Sequence, residues 1–175
     1  LSAFEFVEIS GDFGFTASTA IQLLDDGAEV EVDTLLVGAA DLSASAGLNN
    51  GSDDFIGFDL SGVTFARAIL NDRADATRTW TSLQLTADEV SFEGIPGVMI
   101  AADTISVALN KASADGRVVD YASRGLDIQT GVATSMTLDM DGSRGELLEA
   151  SGDLDIDLFG FFTVNGSFAF EKSID

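Results

Sequence analysis

Carboxylates are the side chains in this sequence whose type and spacing are suited to chemistry. Three segments concentrate them around glycine or asparagine turns. Ca²⁺ takes about six to eight oxygen ligands, and flexible acidic segments of this kind supply them. The sequence therefore predicts calcium-ligating groups at Asp139, Asp141 and Glu146, at Asp25 and Asp26 with Glu29, Glu31 and Asp33, and at Asp53 and Asp54 with Asn49 and Asn50.

A second interpretation of these carboxylates remains open. None of the three segments matches the EF-hand loop or the glycine-rich nonapeptide that binds calcium. Acidic residues that alternate with apolar ones, such as Asp153, Asp155 and Asp157, are also typical of a solvated strand face that prevents sheets from associating. Calcium is thus the only cofactor that the sequence suggests.

Catalysis is not expected from this composition. The chain has no Cys and no His, which removes thiol nucleophiles, imidazole acid–base chemistry and most transition-metal sites. A pair of carboxylates in a sugar-cleaving cleft would remain, but such clefts display several aromatic platforms, whereas this chain has a single Trp80 and a single Tyr121. We predict that the protein is not an enzyme and that Trp80 is a core or edge anchor.

The charge balance excludes one class of partner. Asp and Glu number 30 and Lys and Arg number 8, so the net charge is −22 and nucleic acid is repelled. No apolar run approaches the roughly 20 residues of a membrane-spanning helix. The N-terminus lacks the features of a signal peptide, so we expect it to be a cut or processed point within a longer chain.

Positive charge is concentrated locally at one place in the sequence. Arg67, Arg73 and Arg78 fall within a dozen positions. In such an acidic chain a cationic patch has the right sign to contact another copy, so these residues are predicted to contribute to a unit-to-unit interface. The alternative is pairing with carboxylates of the same chain.

The periodicity is that of β-strands almost throughout. Acidic residues alternate with Val30 and Val32 and with Leu154 and Ile156, which gives each strand one apolar and one wet face. Residues 17–26 fit either a short helix or a strand end. The predicted strands are approximately 3–9, 12–18, 28–37, 39–46, 55–60, 62–70, 78–87, 89–93, 98–109 with a break, 117–121, 125–130, 133–140, 145–150, 153–164 and 167–172.

The chain ends with a copy of the segment with which it begins. Residues 4–18, FEFVEISGDFGFTAS, align without a gap with residues 159–173, FGFFTVNGSFAFEKS, at an offset of 155. Nine of the 13 Phe residues lie in these two windows, so composition alone does not account for the match. We interpret residues 1–158 as one repeat unit and residues 159–175 as the first hairpin of the next.

The repeated segment is predicted to be a hairpin. Asn165–Gly166 between apolar runs indicates a type I′ turn, and Ser10–Gly11 is its copy. A hairpin with this much aromatic area must pack on its own unit or on a neighbour. The predicted unit-to-unit contacts are Phe4, Phe6, Phe13, Phe15, Phe159, Phe161, Phe168 and Phe170.

Residues 72–172 resemble repeats that recur many times in very long secreted or surface-exposed bacterial proteins. The segments that support the resemblance include DGRVVDYA (115–122) and FGFFTVNGSFAFEKS (159–173). The resemblance implies an extracellular, repeat-built protein of adhesin or appendage type, without established catalytic residues.

Together these observations predict an all-β fold, in which an elongated antiparallel sheet, curled or two-layered, stacks end to end with its neighbours. A compact β-sandwich strung like beads is the alternative architecture. The predicted role is a structural unit of an extracellular bacterial filament or giant surface protein, whose partners are copies of itself or neighbouring repeats. The alternative is an adhesin module that calcium stiffens and whose ligand site lies elsewhere.

Overall fold

The computed structural model describes residues 2–3 and 6–174 and confirms an all-β, antiparallel protein. Residues 17–26, where a helix was an open alternative, belong mostly to a strand. The strands are β1 (Ser2–Ala3), β2 (Val7–Leu23), β3 (Glu29–Leu48), β4 (Ile56–Asp72), β5 (Thr79–Glu93), β6 (Val98–Lys111), β7 (Leu126–Gln129), β8 (Ser135–Leu138), β9 (Glu146–Leu158) and β10 (Phe162–Ile174).

One large sheet contains the two-residue strand β1 and seven long strands. Their order is β1-β2-β3-β4-β5-β6-β9-β10, so each strand pairs with its neighbour in sequence except where residues 112–145 are inserted between β6 and β9. This insertion contains the two-stranded sheet β7–β8 and a short 3₁₀ helix, Gly142–Arg144. The sheet does not close, and it is no compact sandwich, because its only second layer among the described residues is the small inserted sheet.

Several pairs of predicted strands are single long strands. Residues 28–37 and 39–46 form β3, which at 20 residues spans about 66 Å, and β4 and β5 each join two predicted strands in the same way. The reason is a line of irregularities across the middle of the sheet. Asp41, Gly62 and Thr104 have positive φ of 52°, 61° and 54°. An extra residue there shifts the alternation of side chains without ending the strand.

The predicted hairpin at Asn165–Gly166 is wrong. Both residues lie inside β10 and pair with Asp155 and Leu154 of β9. The alternation of apolar residues continues in phase through this dipeptide, as expected for an uninterrupted strand. Its copy at Ser10–Gly11 likewise lies inside β2.

The turn that precedes β10 lies at Phe159–Gly160 instead. Both residues have positive φ, 57° and 65°, and the amide of Phe161 donates to the carbonyl of Leu158 at 3.0 Å. Two adjacent residues of positive φ are what a two-residue hairpin turn requires. Within the predicted hairpin 159–175, the described residues therefore contribute one strand to the sheet rather than two.

The core lies where the insertion covers one face of the sheet. Val32, Leu36 and Leu70 of the sheet pack with Ile128 and Leu138 of the insertion. Trp80 and Tyr121 are also fully buried there, which confirms the prediction of Trp80 as a core anchor. The hairpin β7–β8 contacts β2, β3, β4 and β5, so the remainder of this face is not covered by it.

Buried polar contacts fix the insertion on the sheet. The hydroxyl of Tyr121 donates to Ser82 Oγ at 2.9 Å, and Ser82 contacts Asn110 Oδ1 at 3.1 Å. Asn110 Nδ2 donates to the carbonyl of Val119 at 2.8 Å, and Trp80 Nε1 donates to that of Arg117 at 2.9 Å. Because buried polar groups are costly without partners, these bonds specify where the insertion sits.

Candidate assembly surfaces

The two faces of the sheet differ in what covers them. We call the face that the insertion occupies the covered face and the opposite one the open face. Residues that pair across antiparallel strands share a face, so rows of paired residues can be followed from one edge to the other. The central row of the open face crosses all seven long strands and consists of Phe13, Ala39, Phe65, Leu85, Val107, Ala150 and Phe170.

A second apolar row crosses the same seven strands. β9 and β10 pair without interruption from Phe162 to Ile174, so Val164 and Phe170, six residues apart, lie on the same face. The second row therefore also belongs to the open face. It lies toward the end of the sheet at which β2 and β10 begin. It consists of Val7, Ala46, Phe58, Phe92, Ile100, Ile156 and Val164.

The open face is exposed over much of its area. Among strands that are not neighbours in the sheet, the main contacts all involve β7 or β8, which lie on the covered face. Phe15 is 70% exposed, and Phe13, Phe58 and Phe170 are each about half exposed. Contiguous apolar surface of this extent is rare in soluble monomers and marks an interaction surface.

The covered face is acidic beyond the insertion. Asp153, Asp155 and Asp157 of β9 share this face, as the alternation predicted, while Leu154 and Ile156 point to the open face. Asp103 pairs with Asp153, and further carboxylates on the same face come from other strands: Glu8, Asp59 and Glu89. One side of this half of the sheet is thus apolar and the other negatively charged.

The two copies of the repeated segment lie at opposite edges of the sheet. Ser2 pairs with Glu8 and Ala3 with Val7. Residues 155 positions later pair identically, since Asp157 pairs with Thr163 and Leu158 with Phe162. The short pairing β1–β2 therefore reproduces the register of the long pairing β9–β10, and the repeat of sequence is also a repeat of strand pairing.

The two copies differ where each contacts its own surroundings. Gly14 of β2 lies against the insertion, and a Cβ there would meet the carbonyl oxygen of Gln129 at 2.2 Å. The equivalent residue of β10 is Ala169. At the position equivalent to Thr16, β10 has Glu171, whose carboxylate pairs with Arg144 at 2.9 Å. Arg144 also pairs with Glu149 of β9, so it joins the last two strands of the sheet.

The predicted aromatic contacts do not form one cluster. Phe13 and Phe15 stack on β2, with ring centroids 6.5 Å apart, while Phe168 and Phe170 lie on β10 at the other edge. Phe159 and Phe161 are in the exposed turn before β10, Phe161 being 97% exposed, and Phe6 precedes β2. Phe4 lies outside the described residues. The predicted hairpin would have placed Phe6 or Phe161 opposite these residues, and this arrangement is absent because Ser10–Gly11 and Asn165–Gly166 lie inside single strands.

The three clustered arginines have different environments. Arg73 pairs with Glu31 at 2.7 Å and with Asp33 at 3.4 Å. Arg78 pairs with the buried Asp72 and lies over the ring of Trp80 at 5.7 Å. Pairing within the chain, the alternative to a unit-to-unit contact, therefore holds for these two.

Arg67 differs, because it makes no ion pair with a described residue. It is exposed on the open face, where its partners across the sheet are Val37 and Leu83.

Asp72 is the buried member of the Arg78 pair. Burial opposes its ionisation, but Arg78 and the amides of Ala74, at 2.7 Å, and Asp75, at 3.2 Å, donate to its carboxylate and hold its pKa below the ordinary value. This site stabilises the chain reversal between β4 and β5.

The predicted calcium-ligating residues lie apart or are engaged elsewhere. Asp141 Oδ1 accepts from the amide of Ser143 at the start of the 3₁₀ helix, and Asp139 accepts from Gln84. Glu146 accepts from the amide of Ala112.

The other two acidic segments are on the surface. Asp26 pairs with Arg117, and Asp25 precedes it in the sequence. Asp53 and Asp54 are in an exposed loop with Asn49 and Asn50. The described residues contain no group of three or more acidic side chains arranged to hold a metal ion. Calcium binding stays a prediction.

Comparisons with protein-family models, with curated proteins and with solved structures find no match for this chain. The described part of the chain contains no helix that is long and apolar enough to cross a membrane.

Sequence reasoning missed the two seven-strand rows. The signal was present in each strand as alternation, but the rows emerge only once the register of every pair and the irregularities at Asp41, Gly62 and Thr104 are known. It also missed that Arg67, unlike Arg73 and Arg78, lies on an apolar face.

Proposed function

We propose that the chain is a structural repeat unit of an extracellular bacterial filament or giant surface protein, in which successive units extend one antiparallel sheet. The observation on which the proposal depends is the shared register of β1–β2 and β9–β10 at an offset of 155 residues. This shared register makes β10 of one unit equivalent to β2 of the next. The extracellular location is supported by the resemblance to secreted repeat proteins and by the net charge of −22.

The geometry of such an array follows from the strand order. One period consists of β2, β3, β4, β5, β6 and β9, after which β10 takes the place of β2. Six strands at about 4.8 Å give a lateral advance of roughly 29 Å per unit. The outer edge of β10, which has no partner among the described strands, would pair with β3 of the following unit.

Successive units are also displaced along the strand direction. The central row begins at Phe13 of β2 and ends at Phe170 of β10, whose equivalent in β2 is Phe15. The second row begins at Val7 and ends at Val164, whose equivalent in β2 is Ile9. Each unit is therefore offset by two residues, or about 7 Å. The central row of one unit would thus meet the row of Phe15 in the next, where the central row begins at the equivalent of Phe168. The open face would form a strip that steps by two residues at each unit.

Continuous pairing also accounts for the exposed edges. A long strand with unpaired main-chain groups is a template for association, and natural proteins pair, cover or charge such edges. Here both edges carry the same sequence segment, so pairing in series satisfies each of them. At the position of Gly14 in β2, β10 has Ala169. Because Ala169 carries a Cβ, the insertion of the following unit must lie farther from β10 than Gln129 lies from β2.

The proposal is tested by the length of tandem chains. Residue 175 corresponds to residue 20, so residues 1–175 followed directly by residues 21–175 form an uninterrupted two-unit chain. Chains of one to four units, measured by small-angle scattering and electron microscopy, should form stiff particles that lengthen by roughly 29 Å per added unit. Flexible strings of independently tumbling domains would contradict the proposal.

A further inference from the structure

The open face divides along the strand direction into an apolar part and a charged part. The apolar part contains the central row, the second row and an intermediate row between them, none of which includes a charged residue. The intermediate row consists of Ile9, Ala44, Leu60, Val90, Ala102, Leu154 and Gly166. Beyond the second row the face ends with further apolar residues, namely Leu48, Ile56, Val98, Leu158 and Phe162.

The charged part lies on the other side of the central row and carries both signs. Its cations are Arg67, Lys111 and Lys172, and its carboxylates are Glu29, Glu31, Asp33 and Glu146. Glu31 and Asp33 are paired with Arg73, and Glu29 with Arg124. Neither sign therefore dominates. Charged groups are costly to bury, so this part of the face should stay in water.

The apolar part is large enough for a stable protein interface. Along the strands it extends from Phe162 to Phe170, eight steps or about 26 Å, and across seven strands it measures about 34 Å. Its projected area is roughly 900 Å², and a stable interface typically buries about 800 Å² on each partner.

The relief of the apolar part suits another sheet. On β3 the three rows present only Ala39, Ala44 and Ala46, which lie between Phe13 of β2 and Phe58 of β4. The side chains of packed sheets interdigitate, so this band of small residues can receive the larger side chains of a facing sheet.

Two copies can bury their apolar parts and leave their charged parts solvated. A twofold axis that lies between two facing sheets, perpendicular to the strands, places each strand antiparallel over its equivalent. The central row then faces the second row of the other copy, and the charged parts project beyond opposite ends of the overlap. An axis parallel to the strands is less favourable. It places β3 over β9 and β4 over β6, so Asp33 approaches Glu146 and Arg67 approaches Lys111.

The net charge of −22 does not prevent this contact. The acidic covered faces point outward in both copies, about 20 Å apart. Salt screens charges over about 8 Å at physiological ionic strength. The remaining repulsion weakens as salt is added, so the association should strengthen with ionic strength.

We infer that the open faces of two copies pack together as a two-layer β-sandwich, with the twofold axis perpendicular to the strands and both insertions outside. A consequence for arrays rests on the proposed function, whereas the dimer of single chains does not. A step of about 7 Å in 29 Å inclines the strands by about 13° to the perpendicular of the array. Two parallel arrays related by a twofold axis along their length would cross their strands at about 26°, near the 30° of aligned sandwiches.

Analytical ultracentrifugation of the 175-residue chain over a wide concentration range tests the inference. The parent should form a dimer that strengthens from about 0.1 to 0.5 M salt. Phe58→Asp places an unpaired carboxylate within the overlap and should weaken the dimer by on the order of a hundredfold or more. Phe170→Asp, on another strand of the apolar part, should act in the same way.

The matched control is Met99→Asp. Met99 is 46% exposed and Phe58 49%, but Met99 pairs with Asp157 and so lies on the covered face. This variant adds the same charge outside the overlap and should dimerise as the parent does. Melting curves establish that each variant is folded.

Single cysteines test the direction of the twofold axis. Ala44 lies in the intermediate row, so Ala44→Cys of one copy should face Ala44→Cys of the other across about 10 Å, and a short bismaleimide should link them. Leu35→Cys is on the same strand and face but in the charged part. Its two thiols would lie at opposite ends of the dimer, more than about 50 Å apart, and should not be linked.

Three results would overturn the inference. The first is a chain that stays monomeric at every concentration and salt, including one that native mass spectrometry finds with an amphiphile bound instead. The second is a dimer that responds equally to Phe58→Asp and Met99→Asp, which would place the contact elsewhere, such as at the sheet edges. The third is linkage through Leu35→Cys rather than Ala44→Cys. All of these measurements use single units, so the dimer and the proposed array fail separately.

Discussion

Phe13 and Phe170 lie at opposite ends of one unbroken row of paired residues that crosses seven strands. They belong to β2 and β10, two copies of one sequence segment at opposite edges of the same sheet. An open sheet that has the same strand at both edges can be extended without a change of pairing. The proposed array depends on this property.

The contact between the insertion and the sheet depends on glycine. Gly38 pairs with Gly14, and a Cβ on Gly38 would meet the carbonyl oxygen of Gln129 at 2.3 Å. We predict that Gly38→Ala lowers the free energy of unfolding by about 1 to 3 kcal/mol, because the main chain of the insertion must move away. Chemical denaturation measures this loss.

The matched control is Gly166→Ala in β10. No atom lies within 4 Å of a Cβ at Gly166, so this substitution should leave stability unchanged or raise it slightly. Equal losses in the two variants would show that the close approach of Gln129 is not the cause.

Asp72 predicts a pH dependence of stability. Its pKa is held below the ordinary value of 3.8 by Arg78 and two amides, so the folded chain keeps the carboxylate ionised where the unfolded chain would bind a proton. Its contribution is therefore full above about pH 5 and is lost as pH falls below 3.8 toward the pKa of the folded state. Asp72→Asn should cost about 2 kcal/mol at pH 7.

The measurement is the difference between the parent and Asp72→Asn as pH is lowered. Because protonation removes the same charge that the substitution removes, the difference in unfolding free energy should shrink below pH 4. A difference that stays constant from pH 7 to pH 3 would mean that the charge of Asp72 does not stabilise the fold.

Calcium binding is tested by thermal melting. An ion bound only to the folded chain raises the melting temperature by mass action, and a chelator removes the increase. The prediction from Asp53, Asp54 and the other acidic segments is thus an increase with added Ca²⁺ that Mg²⁺ at the same ionic strength does not reproduce. Unchanged melting with Ca²⁺ would reject the calcium prediction.

The alternation of side chains made the fold class predictable. The alternation of Val30 and Val32 with Glu29 and Glu31 indicated a strand with one apolar face. In β3 the two valines are buried and the two glutamates are exposed. The turns were predictable where Gly27, Gly51 and Gly116 provide positive φ. These features depend on local sequence, so they could be identified without the structure.

Strand ends were less predictable, because local signals conflict with pairing across the sheet. Asn165–Gly166 has the composition of a turn, but thirteen consecutive pairs with β9 keep it in a strand. Phe159–Gly160 forms the turn although Phe is an unusual residue at positive φ. The open face could not be identified either, since it depends on the register of six strand pairs.

The pairing of β10 with the following unit is tested most directly by disulfide trapping in the two-unit chain, since the protein has no cysteine. Ser18 and Thr34 have hydroxyl oxygens 2.8 Å apart on β2 and β3, and Ser173 is the equivalent of Ser18. Ser18→Cys with Thr34→Cys in the single chain therefore calibrates the reaction. The test variant combines Ser173→Cys of the first unit with Thr34→Cys of the second. The control variant combines Ser173→Cys of the first unit with Ser43→Cys of the second, and Ser43 lies nine residues, or about 30 Å, from Thr34 along β3.

The account predicts that the test pair forms a disulfide to the same extent as the calibrating pair and that the control pair forms none. A test pair that remains reduced while the calibrating pair oxidises would contradict a sheet that continues from one unit to the next.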